Sequence, residues 1–251
     1  MTNPYLRNLD RIEFVVTYAC TGRCRHCSEG DHAGAGTHID GAAAAAMIER
    51  VTQCFNIESL MTFGGEPLLY PSAVYSIHES ARNAGIPKRQ IITNGYFTRD
   101  AEMTAQTARM LCDAGVNDVL VSADAFHQET IPLDAVLRFA SLLLDAGIEN
   151  IHVQPAWLVN PDDGNEYNVK TREIIGKFSD AGISASEGNV IFPEGNAVRY
   201  LNEYFKNVKP ENPYVEDARD IRTLSISPDG SVLGGNIYTD DIIDLIGRYK
   251  P

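Results

Sequence analysis

The chain has no long apolar segment and no apolar stretch near its first residues. The opening sequence, MTNPYLRNLDR, lacks the hydrophobic region of a secretory signal peptide. No run of about 18 apolar residues occurs anywhere in the chain, so the sequence contains no candidate transmembrane helix. These two absences predict a cytoplasmic protein with no membrane partner.

Positive charge is scarce. The 251 residues include 21 lysines and arginines against 34 aspartates and glutamates, a formal net charge of −13. No basic cluster interrupts this excess, which argues against binding to a nucleic-acid backbone. Hydrophobic residues make up 44% of the chain. A chain of this length and composition suits one large α/β domain with a sizeable core.

Cysteine is also scarce, with five residues and none beyond Cys112. In a chain without a signal peptide, this number indicates metal ligands or reduced thiols rather than disulfides. Three of the five, Cys20, Cys24 and Cys27, lie in the stretch VVTYACTGRCRHCSEG, after an apolar run. Three thiolates on one short loop can hold three corners of a cubane iron–sulfur cluster, which normally takes four cysteines. The missing fourth cysteine would leave one iron open to another ligand.

Glycines recur at regular intervals in the phrases NAGI, DAGV, DAGI and DAGI. These are Gly85, Gly115, Gly147 and Gly182, spaced by 30, 32 and 35 residues. A glycine just past a helix end tolerates the left-handed conformation that closes the helix. A repeating unit of strand, loop, helix and glycine predicts βαβ units and a parallel sheet.

The apolar runs and the intervening patterns predict the secondary structure. The predicted strands are Ile12–Thr17, Ser59–Phe63, Gln90–Thr93, Asp118–Ser122, Asn150–Gln154 and Asn189–Phe192. The predicted helices are Ala42–Phe55, Ala73–Ala84, Ala101–Ala114, Ala135–Ala146 and Val169–Ala181, with Asp40 and Asp134 as N-caps. Six strands are too few for a closed eight-stranded barrel. In barrels of this kind the chemistry lies at the carboxyl ends of the strands.

The second strand ends in TFGGEP, which contains Gly64, Gly65 and Glu66. Glycines allow close backbone approach, and a carboxylate can accept hydrogen bonds from an ammonium group. The cysteine spacing, with GGEP one βα unit later, resembles the radical S-adenosylmethionine (radical SAM) enzymes. The resemblance covers roughly Ile12 to Asn196, about three quarters of the chain.

The resemblance implies an α/β fold, an open partial (β/α)6 TIM-like barrel, with one [4Fe–4S] cluster on the three cysteines and SAM on the open iron. It places Gly64, Gly65 and Glu66 near the amino group of SAM and Asn94 near its carboxylate. His26 matches a ring beside adenine, and Ser122 and Asp124 match contacts to ribose or substrate. Gln154 on strand five faces inward and Val190 matches a backbone contact to adenine, so both are also assigned to cofactor binding.

The resemblance also implies an activity. An electron from a flavodoxin- or ferredoxin-like donor would reductively cleave SAM, and the resulting 5′-deoxyadenosyl radical would abstract a hydrogen atom from a peptide or protein. A small metabolite is the alternative substrate. His127 follows strand four and is a candidate for proton transfer, with a structural hydrogen bond as an equal alternative. Glu129 and Glu194 are likewise ambiguous.

A non-catalytic protein is the remaining alternative. Three cysteines at this spacing can bind zinc with His26 or His32 as the fourth ligand, although that leaves GGEP unexplained. The other cysteines, Cys54 and Cys112, are interpreted as core residues. His78 is predicted on an exposed helix face, and His38 in a solvated loop.

The last part of the chain predicts a short extension. We divide the sequence into a barrel core, 1–206, and an extension, 207–251, packed on the core. The extension predicts a β-hairpin that turns at Pro228-Asp229-Gly230, and a terminal helix, Asp241–Tyr249. It resembles the extension of peptide-modifying radical SAM enzymes but lacks the cysteines that hold auxiliary clusters there. The absence of these cysteines, and the start of the chain close to strand one, argue against a peptide substrate.

Overall fold

A computed structural model of the protein describes residues 3–30, 36–206 and 210–251. The strands are β1 Arg11–Thr17, β2 Ser59–Gly64, β3 Lys88–Thr93, β4 Asp118–Ser122, β5 Asn150–Gln154, β6 Ala156–Trp157, β7 Ser184–Ala185, β8 Asn189–Val190, β9 Thr223–Ile226, β10 Ser231–Val232 and β11 Gly235–Asn236. The α-helices are α1 Gly41–Thr52, α2 Pro71–Asn83, α3 Ala101–Ala114, α4 Leu133–Asp145, α5 Glu166–Asp180, α6 Gly195–Tyr200 and α7 Ile242–Arg248. Short 3₁₀ helices cover Pro67–Leu69, His127–Glu129 and Asn202–Phe205.

Seven strands form one sheet in the order β7-β5-β4-β3-β2-β1-β9. Every pair in this sheet is parallel. The two edge strands, β7 and β9, do not pair with each other, so the barrel is open on one side. The predicted partial barrel is confirmed. Within the described ranges, no helix has the length and hydrophobicity that a bilayer crossing requires.

The core lies between the sheet and the helices. On β4, Val119 and Val121 are fully buried among the helices, while Leu120 and Ser122 are half-buried on the opposite face. This alternation follows from the two-residue period of a strand. The same pattern on β5 buries Ile151 and Val153. The half-buried residues that alternate with these buried ones therefore line the inner face of the open barrel.

The sixth strand was predicted in the wrong place. The position beside β5 is taken by β7, which begins two residues after Gly182, the glycine that follows α5. The predicted strand, Asn189–Phe192, is reduced to β8 and pairs with β6 in a separate two-stranded sheet. Gly188, with φ 73°, precedes β8, and a Cβ there would lie 2.4 Å from the carbonyl oxygen of Pro155. This tight approach turns the chain away from the main sheet.

The predicted C-terminal hairpin is wrong in its pairing. The turn exists, because the Gly230 amide donates to the Ser227 carbonyl at 2.9 Å. However, the strand before it, β9, joins the main sheet parallel to β1, and the antiparallel pair is β10 with β11. Leu224 and Ile226 on β9 are fully buried, and this burial favours the sheet over a free hairpin. The boundary at residue 206 stays a prediction, but residues beyond it supply an edge strand.

One of the two predicted helix N-caps is confirmed. Asp40 is the N-cap of α1 and accepts a hydrogen bond from the Ala43 amide at 2.8 Å, as predicted. The prediction for Asp134 is wrong, because Pro132 occupies the N-cap of α4. Asp134 instead lies in the first turn, where its charge is still favourable to the helix dipole.

Two interpretations of single residues are also wrong. Cys54 is exposed because α1 ends at Thr52, three residues earlier than the apolar pattern suggested. The interpretation of Cys112 as a core residue is supported, because it is half-buried and packs against the core. The second wrong interpretation concerns His78. His78 is fully buried between α2 and β2, with its Nε2 atom 2.9 Å from Thr62 Oγ1.

His78 makes folding sensitive to acid. Burial, and then the charge of Arg89, lower its pKa from 6.5 to about 3. The unfolded chain takes up this proton below about pH 6.5 while the folded protein does not, so stability falls as the pH falls through that range. His78→Gln should remove about 2 kcal/mol of the stability lost between pH 7 and pH 5, measured by urea unfolding. His38→Gln, at an exposed histidine, is the control; an equal effect there would contradict the assignment.

Candidate functional site

The three N-terminal cysteines lie in the loop that follows β1. Cys24 is buried, with 7% of its surface exposed, and Cys20 and Cys27 are half-buried. A Cβ on Gly22 would lie 3.3 Å from the Cys24 sulfur and 3.6 Å from the Cys20 sulfur. The sulfurs of Cys20 and Cys24 therefore lie on the same side of the loop, close to Gly22.

Backbone amides point at these sulfurs. The Gly22 amide donates to Cys20 Sγ at 3.3 Å, and the amides of Glu29 and Gly30 donate to Cys27. Burial raises the pKa of Cys20 to about 11 and also raises the pKa values of Cys24 and Cys27. A bound cation would reverse this, since thiolates are the form that ligates metal. Soft sulfur ligands with amide donors fit an iron–sulfur cluster.

The glycines of GGEP bring the end of β2 against the start of the cysteine loop. A Cβ on Gly65 would lie 2.1 Å from the Ala19 carbonyl oxygen, and one on Gly64 would lie 2.4 Å from the Thr17 carbonyl oxygen. Gly64 has φ 136°, a conformation that favours glycine. Hydrogen bonds of 2.8 Å join the Gly65 amide to Thr17 and the Glu66 amide to Ala19. Both glycines are thus required for backbone packing.

Glu66 is fully buried and connects the ends of β2 and β3. Its Oε1 atom accepts from the Leu68 amide at 3.0 Å and from Thr93 Oγ1 at 2.8 Å. Its Oε2 atom accepts from the Asn94 amide at 2.8 Å. Burial raises the pKa of Glu66 to about 7, against the effect of these hydrogen bonds. A carboxylate has about four acceptor positions, so one position on Oε2 is left for a further donor.

Asn94 links Glu66 to the cysteine loop. Besides its backbone bond to Glu66, its side-chain amide donates to Thr21 Oγ1 at 3.0 Å and to Cys20 Sγ at 3.5 Å. Its Oδ1 atom accepts from the Tyr96 amide at 2.8 Å. The two motifs, separated by a whole βα unit in sequence, are therefore bridged by Asn94.

Asp124 organises the loop after β4. Its Oδ1 atom accepts from the amides of Phe126 and His127 at 2.9 and 3.0 Å. Its Oδ2 atom lies 2.7 Å from His127 Nδ1 and accepts from the Ala156 amide at 3.0 Å. Burial acts to raise its pKa, but the charge and hydrogen bond of His127 outweigh burial and hold the pKa below its usual range. These partners fill its acceptor positions, so the geometry favours positioning of His127 over a ribose contact.

Two histidines lie beside the buried cysteine. The rings of His26 and His127 are 4.7 Å apart, and the ring of His26 is 5.1 Å from that of Phe126. Cys24, His26 and His127 each offer a ligand atom, and all three lie within 4.8 Å of one another. The Nδ1 atom of His26 is buried and has no hydrogen-bond partner among the described residues. His32, the other histidine considered as a zinc ligand, falls outside the described residues.

The remaining predicted cofactor residues follow the carboxyl ends of the strands. Ser122 on β4 is paired in register with Gln154 on β5, and both are half-buried. Gln154 Oε1 accepts from Ser186 Oγ at 2.5 Å. Val190 lies on β8, in register with Trp157 of β6. A surface pocket of about 390 Å³ lies at the opposite edge of the sheet, between Phe55 and Pro87, away from all of these residues.

Several residues that position the site were missed from the sequence. The start of α6 packs on the cysteine loop: Gly195 has φ 52°, and a Cβ there would lie 2.2 Å from the Ser28 carbonyl oxygen. The Asn196 amide donates to the Cys27 carbonyl at 2.9 Å, and its side chain donates to the Cys24 carbonyl at 3.3 Å. No local pattern in the sequence indicates this contact.

The two ambiguous glutamates make structural contacts. Glu129 forms a two-point ion pair with Arg25, with a distance of 2.9 Å at Nε, and the Arg25 guanidinium lies 5.2 Å from the ring centre of Tyr167. This fixes the cysteine loop to the loop after β4. Glu194 occupies the N-cap position of α6 without a side-chain cap bond and instead accepts from Asn212.

The comparison with known families agrees with this arrangement. The sequence profile of the Radical SAM superfamily matches residues 14–184, which include the cysteine loop, GGEP and strands β2 to β5. The chain belongs to the radical SAM superfamily.

The curated relatives of this radical SAM protein share part of its length. A GTP 3′,8-cyclase from Chlorobaculum tepidum is 28% identical over 129 residues, 51% of this chain and 37% of that protein. One from Actinobacillus pleuropneumoniae serotype 7 is 31% identical over 126 residues, 49% of this chain and 35% of that protein. The matched region thus spans less than half the length of these enzymes.

Solved structures share the fold over nearly the whole chain. SuiB from Streptococcus suis, bound to S-adenosylmethionine, has a TM-score of 0.63 at 13% identity and covers 98% of this chain and 67% of its own. Native anSMEcpe with bound AdoMet has a TM-score of 0.60 at 16% identity, over 94% of this chain and 80% of its own. BtrN, in complex with AdoMet and 2-DOIA, has a TM-score of 0.55 at 17% identity, over 96% and 83%.

The packing of Gly65 can be tested directly. Gly65→Ala places a methyl group 2.1 Å from the Ala19 carbonyl oxygen and must displace the cysteine loop. We expect a loss of stability of about 1–3 kcal/mol or more, and a several-fold loss of iron bound after anaerobic reconstitution. Gly176→Ala is the control, because a Cβ there meets no atom within 4 Å and alanine favours the helix. Equal iron binding in the two variants would contradict the proposed packing.

Proposed function

We propose that this protein is an enzyme that reductively cleaves S-adenosylmethionine and uses the product to abstract a hydrogen atom from a substrate. One observation carries the proposal. Asn94 donates its backbone amide to Glu66 of GGEP and its side-chain amide to the sulfur of Cys20. The metal-binding and the cofactor-binding motifs therefore form one site rather than two separate structural features.

In this proposal Cys20, Cys24 and Cys27 would hold a single [4Fe–4S] cluster, and SAM would bind at the iron that has no cysteine. When bound, the cluster supplies the electron that cleaves SAM to methionine and a 5′-deoxyadenosyl radical. Burial of Cys24 and the amide donors to Cys20 and Cys27 restrict water around the sulfurs and set their electrostatic environment. The described cysteines outside this loop are Cys54, which follows the end of α1, and Cys112, which lies on α3.

The chain's own residues orient SAM. The free acceptor position of Glu66 suits the methionine ammonium group, and the fixed carboxylate orients that group without rearrangement of the site. Asn94, Gly64 and Gly65 pack against the cysteine loop and fix its position relative to Glu66. The other proposed contacts to SAM are His26, Ser122, Gln154 and Val190, at the carboxyl ends of the strands.

His127 is the proposed group for proton transfer. Asp124 engages its Nδ1 atom at 2.7 Å and its backbone amide at 3.0 Å, which fixes the ring and leaves Nε2 available. An imidazole held in this way by a buried carboxylate can act as a general acid or base.

SAM cleavage requires an electron donor and a compartment in which thiols stay reduced. The cleavage needs a low-potential electron, so the partner is a flavodoxin- or ferredoxin-like donor. Three thiolate ligands persist only where thiols stay reduced, which supports the cytoplasm.

Two substrate classes are consistent with the site. A peptide or protein substrate has support from the structural likeness to SuiB, which is also known bound to a precursor peptide. A small metabolite has support from the sequence matches to GTP 3′,8-cyclases.

The first test is cleavage of SAM. Reconstituted protein with dithionite and SAM should yield 5′-deoxyadenosine, measured by mass spectrometry. Cys24→Ala should abolish this product and reduce bound iron from about four atoms per chain to near zero. Cys54→Ala, at an exposed cysteine, should change neither quantity. A metal-loaded wild type that binds zinc, with no iron–sulfur absorbance and no cleavage, would support the non-catalytic alternative instead.

The raised pKa of Glu66 predicts a pH dependence of SAM binding. Only the ionised carboxylate pairs with the ammonium group, so affinity should fall roughly tenfold per pH unit below 7. Glu66→Gln should bind SAM more weakly with a flat profile between pH 5.5 and 7, measured by calorimetry on the reconstituted protein. Glu79→Gln, on the exposed face of α2, should keep the wild-type profile. A wild-type affinity that is constant over this range would contradict the role of Glu66.

A further inference from the structure

A segment before β9 crosses the open side of the barrel. We name residues 212–216 the strap. At one end, the Glu216 carboxylate accepts from the Thr223 amide at 3.3 Å and from Thr223 Oγ1 at 2.8 Å, on the edge strand β9. At the other end, Asn212 Nδ2 donates to both carboxylate oxygens of Glu194, at 3.1 and 3.2 Å. The strap therefore joins the edge strand β9 to the segment that follows β8, on the side of the sheet where β7 is the other edge.

Tyr214 stands at the middle of the strap. Its ring meets Phe192 edge-on, with centres 6.2 Å apart, and its hydroxyl is hydrogen-bonded to the side chain of Asn189. Its pKa is raised, first by partial burial and then by the charge of Glu13, while Arg11 opposes this. Arg11 and Glu13 form an ion pair on β1 and are half-buried, so Tyr214 faces the inner side of the barrel from across the opening.

The strap is nevertheless exposed. Tyr214 has 62% of its surface exposed and Val215 has 76%. The interaction of Tyr214 with Arg11 and Glu13, on the inner face of β1, places Tyr214 at the border of the space inside the barrel.

The inner wall that the strap faces is polar on the side of β3 to β7. Gln90 Nε2 donates to Asp118 Oδ1 at 2.7 Å. His152 Nδ1 lies 2.9 Å from Ser184 Oγ. These pairs make the inner face polar, which suits a small polar molecule held in the barrel. An extended peptide, in contrast, would need an open lateral path or an exposed strand edge.

Resting on the proposed function, we propose that the strap and Tyr214 form the side wall of the substrate cavity, and that the substrate is a small polar molecule rather than a peptide. The wall closes the lateral path with two side-chain contacts, Asn212 with Glu194 and Glu216 with Thr223. Access remains for molecules small enough to pass the strap or enter from the end of the barrel.

Size-graded labelling of the inner wall tests this without any substrate. Leu120→Cys places a thiol on the inner face of β4, and the protein is labelled after cluster reconstitution. Two probes are used, iodoacetamide and a maleimide carried by a ten-residue peptide. The native exposed thiol of Cys54 is the reference in the same molecule, and peptide mapping assigns each label. Ile92→Cys, in register with Leu120 on β3, replaces it if the first variant does not fold.

With the strap intact, iodoacetamide should label the inner thiol, while the peptide maleimide should react there at least tenfold more slowly than at Cys54. The double variant Asn212→Ala, Tyr214→Ala should remove most of this tenfold difference. Tyr200→Ala, at an exposed tyrosine outside the strap, should leave it unchanged. The proposal is overturned if the peptide probe reaches the inner thiol freely in the intact protein, which would favour a peptide substrate, or if the double variant changes nothing. SAM cleavage does not enter the readout, so this proposal and the proposed function fail separately.

Discussion

The packing of two glycines against a carbonyl-lined turn supports the rest of the site. Gly64 and Gly65 allow the end of β2 to lie within hydrogen-bonding distance of residues 17–19, where no side chain fits. The contact fixes where the cysteine loop leaves β1. It also directs the Glu66 side chain toward β3, where Thr93 and Asn94 donate hydrogen bonds to the carboxylate. The glycines thus align the cysteine sulfurs and the buried carboxylate.

The cysteine loop has three further supports, from the ends of two strands and from the start of a helix. Asn94 reaches Cys20 from β3, the Arg25–Glu129 ion pair joins the loop to the segment after β4, and Asn196 holds the carbonyls of Cys24 and Cys27 from α6. A ligand set built on a loop is precise only when such neighbours hold it. The open barrel supplies them because parallel strands end at one edge, so successive loops meet there.

The sequence predicted the parts of this arrangement that are local. The cysteine spacing, GGEP and the glycines after the helices each occupy a few consecutive residues, and the five central strands follow from clear apolar runs. The anchoring contacts are not local, so no short pattern predicts them. Arg25 and Glu129 are separated by 104 residues, and Asn196 and Cys24 by 172. The prediction for β9 was wrong for the same reason, because the place of this strand depends on residues distant in sequence. A turn signal at Pro228-Asp229-Gly230 predicts a hairpin, while burial of Leu224 and Ile226 against the distant core favours a place beside β1. The predicted exposure of His78 was wrong because only the structure shows that Thr62 lies opposite its ring.

The central claim is that three cysteines hold a cluster whose remaining iron binds SAM. Electron paramagnetic resonance of the reduced, reconstituted protein, recorded with and without saturating SAM, tests it most directly. The account predicts the signal of one reduced [4Fe–4S] cluster per chain, and a clear change in its g values when SAM is added. A signal that SAM leaves unchanged, in protein that has a full cluster, would contradict it.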